Sequence, residues 1–226
     1  MGAANPKSEE EQARRILAIN EQIKEKEDEG WLSMQLDEST FLPRRTDFNC
    51  WAPIGEPLAK KYSWAPGGSV AVMGAISSER GGEHFMIKGD GGFNGADFIR
   101  FIKILQAKDP DRKIMLFIDN CPMHKAVLVR EFIAQFPDTL KLLMNLPYRP
   151  DLNGIEELWG EAKRIYRTRM VKLNASWKRY DNVIEVEKVL SQLTHPYMRK
   201  YAREGWERIG EAIPTTSHNP NQPAPE

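Results

Sequence analysis

Lys113-Ile114-Met115-Leu116-Phe117-Ile118-Asp119 is an unbroken apolar run of strand length that ends on an acid. Such a run is the pattern of a strand covered on both faces. A carboxylate at its end falls at the carboxyl edge of an open α/β sheet, where ligands bind. The competing reading makes Asp119 a helix N-cap or half of a loop salt bridge. Outward toward the C-terminus the pattern predicts a helix over about 125–135, a second buried strand over 140–146, a loop from Pro147 to Pro150, and a helix from Gly154 to about Arg169. Strand, helix, strand, helix implies a right-handed parallel unit.

Toward the N-terminus, Trp31-Leu32-Ser33-Met34-Gln35-Leu36-Asp37 alternates apolar and polar residues at period two, which predicts a strand ending at the doublet Asp37-Glu38. The first carboxylate is therefore expected at a strand end. Short β-rich runs over 43–53, 69–77 and 83–88 predict an antiparallel meander, with Gly67-Gly68, Gly81-Gly82 and Gly91-Gly92 at its turns. After Asn94-Gly95, the residues Phe98, Phe101, Ile102 and Leu105 recur at helical spacing until Asp109-Pro110-Asp111. Ser8 and Glu11 read as a capping box opening a charged outer helix through Ile16, Ile19 and Ile23.

A length of 226 residues suits one α/β domain with peripheral helices. With 41% hydrophobic and 28% charged residues, most of the chain is expected to fold. The 32 basic and 32 acidic side chains cancel, which excludes the strongly basic footprint of a stand-alone DNA-binding module. The balance is local, however. Residues 9–38 are acidic, whereas the stretch from Lys163 to Arg203 carries Arg164, Arg167, Arg169, Lys172, Lys178, Arg179, Arg199 and Lys200, either a phosphate-holding flank or a solvated helix surface. Cys50 and Cys121 fit neither a disulfide framework nor zinc-ligand spacing, so no zinc is expected. Without an apolar stretch of about 20 residues or a signal-peptide core, the expectation is no membrane span and an intracellular setting, the nucleus in a eukaryote or the cytoplasm and nucleoid in a bacterium.

On the helix after Gly154, Ile155, Leu158, Trp159, Ala162, Ile165 and Tyr166 form the apolar stripe. Glu156 lies on one flank and Glu157 nearer the opposite face, which favours Glu156 as the functional acid. A capping box from Asn153 to Glu156 is the rival reading. Trp159 reads as core rather than as a base-stacking platform.

The runs Phe117-Ile118-Asp119-Asn120-Cys121-Pro122-Met123-His124-Lys125 and Leu146-Pro147-Tyr148-Arg149-Pro150-Asp151-Leu152-Asn153-Gly154-Ile155-Glu156-Glu157-Leu158-Trp159, followed by Lys163, resemble the second half of the DDE domain of mariner-superfamily transposases and their bacterial insertion-sequence relatives. Leu36-Asp37-Glu38-Ser39 resembles the strand carrying that family's first Asp, and Cys50-Trp51-Ala52-Pro53-Ile54-Gly55-Glu56-Pro57 its Trp-x-Pro-x-Gly segment. The resemblance implies an RNase H-like α/β fold: a mixed five-stranded sheet, an antiparallel meander plus parallel strands, flanked by helices with further helices at the C-terminal periphery. It implies the catalytic and metal-binding triad Asp37, Asp119 and Glu156. Where many relatives have Pro at the first helical position this chain has Gly154, which implies a looser helix start. The implied organisation is an acidic helix and linker over 1–30, the catalytic domain over 31–170, a helical extension over 171–210 and a disordered tail over 211–226.

The implied cofactor is a pair of Mg²⁺ ions, with Mn²⁺ as substitute, held about 3.5 to 4 Å apart by carboxylate oxygens for in-line displacement at a phosphodiester. The implied partners are transposon-end and target DNA and a second copy of the chain. Asn120 and His124 either contact phosphate or fix the next helix, the structural role being the default, and Lys163 is a candidate DNA-backbone contact. Glu38, Glu157 and Asp151 are competing acids set aside, the last as a turn-former. Related transposases carry helix-turn-helix segments before this domain, whereas residues 1–30 show one acidic helix; terminal-repeat recognition is expected to be absent, supplied by another chain or lost by truncation. The rival readings are a non-catalytic DNA- or protein-interaction module on the same fold and an RNase H-like nuclease acting on RNA–DNA hybrids. A phosphoaspartate enzyme is discounted for want of its second Asp.

Overall fold

β1 (Leu32–Phe41) is the axis of the molecule. The computed structural model describes residues 9–43, 68–89, 91–176 and 181–212. Before β1 comes α1 (Glu9–Asp28); after it come β2 (Val70–Ser77), β3 (Gly81–Gly89), α2 (Gly95–Lys108), β4 (Ile114–Ile118), a 3-10 turn over Pro122–Lys125, α3 (Val127–Ile133) and β5 (Leu140–Met144). A second 3-10 turn over Pro150–Leu152 then leads to α4 (Ile155–Ser176), α5 (Asn182–Leu190) and α6 (His195–Glu211). The sheet order is β3-β2-β1-β4-β5, with β1 antiparallel to β2 and parallel to β4, and β4 parallel to β5. This is the mixed five-stranded, RNase H-like arrangement expected.

Alternation along β1 sorts its residues between two cores. Leu32, Met34 and Leu36 face α2 and α3, where they join Phe98, Phe101, Ile102 and Leu105. The opposite face of β1 and β2 meets α4, α5 and α6, with Phe41, Val72 and Ile76 against Ile155, Leu158 and Trp159. β4 divides likewise: Ile114, Leu116 and Ile118 belong to the first core, while Met115 and Phe117 meet α1 and α6. Both faces are covered, so the run is continuously apolar. The N-terminal helix lies outside the sheet as expected, yet Ile16, Ile19 and Ile23 are buried against Met115, Phe117, Leu143 and Ile209.

Two local expectations need correction. Asp37 is not at a strand end. β1 continues to Phe41 because residues 37–41 keep pairing with Gly74 to Val70 of β2 after the parallel pairing with β4 has stopped at Gln35–Phe117. The meander is made by β1, β2 and β3; the strand expected over 43–53 lies, past Pro43, outside the described residues, as does the tail from 213 and the cap at Ser8. Gly81 closes the turn between β2 and β3, as expected, and is also the first residue of β3. Its φ of +89° and the 2.5 Å between an added Cβ and the His195 carbonyl oxygen let the start of α6 press against the strand.

Gly154 is likewise a tight point, contrary to the looser start expected. A Cβ there would strike the Tyr201 carbonyl oxygen of α6, and the Gly154 N–H donates to Gln35 Oε1 at 2.7 Å. Pro would remove that donor. Gln35 is fully buried in β1, and its Nε2 donates to the Ala202 carbonyl of α6 at 2.9 Å. Gly154→Ala is therefore expected to destabilise the protein by about 1–3 kcal/mol through overpacking. Gly160→Ala, where an added Cβ meets nothing within 4 Å, is expected to stabilise α4 by up to about 1 kcal/mol. Urea denaturation of the two variants decides, and equal midpoints would refute the close approach.

Candidate active site

The register of the sheet brings two of the three expected acids to one level. Gln35 and Phe117 are partners on neighbouring parallel strands, and Asp37 and Asp119 each follow two residues later. Asp119 stands immediately after β4, as expected. Glu156 is supplied by the first turn of α4, whose start is tied to β1 by Gly154 N–H to Gln35 and by Asn153 Nδ2, which donates to the Leu36 carbonyl at 3.2 Å. Because Asn153 spends its amide on β1 and its Oδ1 is buried without a partner, it does not close the rival capping box with Glu156. Glu156 is left to the cavity.

That cavity, about 550 Å³, is bordered by Asp119 and Glu156 together with Asn120, Lys125, Tyr148 and Asn153. Asp37 is 8% exposed and is not part of its wall, yet it feels both acids. Burial, then Glu156, Glu38 and Asp119 in turn, push its carboxyl from 3.8 up to about 8. Loss of solvent also raises Glu156; Lys163 opposes that shift and Asp119 adds to it. Asp119 moves the other way: its hydrogen bond from His124 holds it below the ordinary range, against partial burial, with help from the Cys121 N–H at 2.9 Å and from Lys125. Asp119 thus has the loop ion pair that the competing reading gave it, with His124, in addition to its place on the cavity.

His124 is buried between two carboxylates, with Nδ1 3.1 Å from Asp119 Oδ1 and Nε2 3.2 Å from Glu38 Oε1. Burial disfavours the charged ring, but the bonds to Asp119 and Glu38 outweigh it and push its pKa to about 10. The ligating atoms of Glu38, Asp119 and His124 lie within 4.8 Å of one another. With both ring nitrogens donating, however, the imidazolium has no lone pair for a metal and acts as the cation of that group. The expectation for Glu38 was incomplete: it does point to the other face of β1 from Asp37, but α2 and the 3-10 turn bring His124 there to couple it to Asp119. Asn120 donates to the Asn145 carbonyl and accepts from Lys125 Nζ at 2.8 Å, bonds of the kind the structural role requires, while also bordering the cavity. Glu157 pairs with Arg208 of α6 at 2.7 Å, and Asp151 pairs with the Arg149 side chain at 2.7 Å rather than with the backbone amides expected of a turn-former. Trp159 is core, edge-on to Phe85. In the basic C-terminal flank Arg164, Arg169 and Lys200 are paired with Glu161, Glu185 and Glu204, which favours the solvated-surface reading for these three.

Residues that the sequence reading did not single out also border the cavity: Lys125, Asn145, Tyr148 and Arg149. For Tyr148 and Arg149 the signal was the Leu146-Pro147-Tyr148-Arg149-Pro150 run, where two prolines stiffen a loop that follows a strand; nothing local marked Lys125 or Asn145.

The family model described as DDE superfamily endonuclease matches residues 34–176. The chain belongs to the DDE superfamily endonuclease family. Among solved structures, this DDE endonuclease superposes on the Mos1 transposase paired-end complex with left transposon end at TM-score 0.62 and 18% identity, covering 94% of this chain and 65% of that one. It superposes on the catalytic domain of Mos1 mariner transposase at TM-score 0.61 and 15% identity, covering 93% and 96%. The Mos1 mariner paired-end complex with Mn matches at TM-score 0.63 and 18% identity. The chain thus spans about 65% of the length of the Mos1 chains in the paired-end complexes, and nearly all of the isolated catalytic domain. A search of curated protein sequences gave no significant match. Among the described residues no helix is long and apolar enough to cross a membrane.

The crowding sets a pH dependence. Asp37 binds its proton more tightly folded than unfolded, so its stabilising contribution is complete below about pH 4 and is lost as pH rises toward 8. His124, raised from 6.5 to about 10, has the same sign above pH 6.5. Metal-free protein is therefore expected to melt at a lower temperature at pH 8 than at pH 5.5, with the difference shrinking in Asp37→Asn. A flat or rising profile in the wild type would contradict the crowding.

Proposed function

We propose that this DDE endonuclease is the catalytic core of a DNA transposase, which hydrolyses DNA phosphodiesters and transfers the freed 3′-hydroxyl to target DNA. The observation that carries the reading is geometric: the sheet register sets Asp37 level with Asp119, Asp119 and Glu156 border one cavity, and both lie close enough to Asp37 to push it toward its protonated form. Acids gathered against their own repulsion are the mark of a functional site.

The donor set fits hard divalent cations, since Asp37, Asp119 and Glu156 offer oxygens alone. The buried, unpartnered Asn153 Oδ1, on a residue of the same cavity wall, is a further oxygen in want of a positive partner. Asp37, Asp119 and Glu156 are the residues that would hold Mg²⁺, or Mn²⁺ in its place, as a pair. When bound, the cations activate the attacking hydroxyl and stabilise the leaving oxygen. His124 keeps Asp119 ionised and fixes its direction. Lys163, near enough to Glu156 to oppose the rise in its pKa, would meet a phosphate of the DNA backbone in this reading. Asp37 must shed its proton to ligate, so affinity for the cation is expected to rise with pH. The partners in this reading are transposon-end and target DNA and a second copy of the chain, and the setting is wherever the cell keeps its DNA.

A labelled duplex oligonucleotide incubated with the full chain and Mn²⁺ or Mg²⁺ tests the proposal. Nicking or strand transfer is expected, abolished by EDTA and reduced by more than about a hundredfold in Asp119→Ala and in Glu156→Gln, since loss of a ligand exceeds the usual cost of losing a ligand's supporting partner. Cutting that survives both substitutions would sink the assignment. Metal-independent DNA binding without cutting would instead favour an interaction module on the same fold.

A further inference from the structure

Tyr148 stands out at the rim of the acidic cavity. The residue is 83% exposed, and among the described residues it is the one non-glycine with a left-handed backbone, at φ 61°. An exposed aromatic ring and a disfavoured φ both work against folding, and strain of this kind persists only where the surroundings impose it. Here they do. Asn145 clamps the loop from within, its Oδ1 accepting the Leu146 N–H at 2.7 Å and its Nδ2 donating to the Arg149 carbonyl at 2.7 Å. Asn120 donates in turn to the Asn145 carbonyl. The loop is therefore a stiff bracket, with Tyr148 at its apex and Pro147 and Pro150 on its arms.

We propose that Tyr148 is a nucleobase platform, stacking the base next to the phosphodiester that sits against Asp119 and Glu156. The proposal rests on reading the cavity as a DNA phosphodiester site. An exposed aromatic residue in the same wall as two carboxylates suits a ligand that brings a phosphate to the acids and a flat apolar face to the rim, which is a nucleotide. Lys125, also in the wall, supplies the positive charge for its backbone. Stacking requires a base with one free face, so the ligand is a terminal or unpaired nucleotide, as cutting itself would create; a base inside a duplex is stacked on both sides. Recognition by a ring face is tolerant of sequence.

The test uses the full chain with Mn²⁺ and a duplex oligonucleotide whose unpaired terminal base is 2-aminopurine. Stacking is expected to quench the probe with wild type and Tyr148→Phe. Quenching should disappear in Tyr148→Ala and Tyr148→Gly, with binding weakened roughly tenfold, within the range for loss of one base–aromatic stack. Glycine accepts the left-handed φ, so Tyr148→Gly is expected to melt at or above the wild-type temperature, which separates lost binding from lost folding. Quenching and affinity unchanged in both the Ala and Gly variants would overturn the platform, and the catalytic reading would stand if cutting still needed Asp119 and Glu156. Tyr148-dependent quenching with no carboxylate-dependent cutting would leave the platform and remove the catalytic reading. A wild type that neither quenches nor cuts would overturn both.

Discussion

Carboxylates that repel one another stay together only if the scaffold holding them draws its free energy from elsewhere. In this DDE endonuclease that free energy comes from a sheet covered on both faces and from a fully buried amide. Gln35 joins the central strand to the start of α4 and the middle of α6, two residues before Asp37 along one chain segment, while its partner Gly154 lies two residues before Glu156 along another. On the neighbouring strand, Asp119 stands as far beyond Phe117 as Asp37 does beyond Gln35, Phe117's partner in the register. The acids are therefore spaced by backbone pairing and one side-chain clamp, with no contribution from attraction among themselves.

Two aspartates, one on β1 and one just beyond the neighbouring β4, end in opposite electrostatic states because they face different neighbours. Asp119 has an imidazolium and a backbone N–H beside it and is held ionised. Asp37 has burial and other acids and is driven toward neutrality. The difference is set by position, not by residue type, and such divergence lets one cluster hold both a fixed charge and a proton that can be displaced.

The sheet was legible in the sequence because its signals are local: the apolar run into Asp119, the alternation into Asp37 and the helical stripe after Gly154 each depend on neighbouring residues. Motif resemblance and face parity pointed to the acids, and parity separated Glu156, which borders the cavity, from Glu157, which pairs with Arg208. What escaped were relations between distant segments. Asp37 looked like a strand end because period-two alternation cannot reveal that β2 continues to pair with β1 after β4 has stopped. Glu38 looked irrelevant because parity assigns it to the other face, and nothing local says that His124 will be waiting there. Gly154 looked loose because glycine is flexible by itself, and its tightness comes from the α6 carbonyl packed against it.

Gln35, Gly154 and Gly205 share one small space: a Cβ on Gly205 would lie 2.5 Å from Gln35 Oε1, and one on Gly154 would meet that oxygen at 2.9 Å. The three positions are consequently bound by epistasis. A lineage exchanging Gly154 for proline would have to give up the glutamine as acceptor and retract α6 in the same step, since each change made alone leaves either a collision or a stranded amide. Homologues should therefore fall into discrete families at these sites, with few viable intermediates between them.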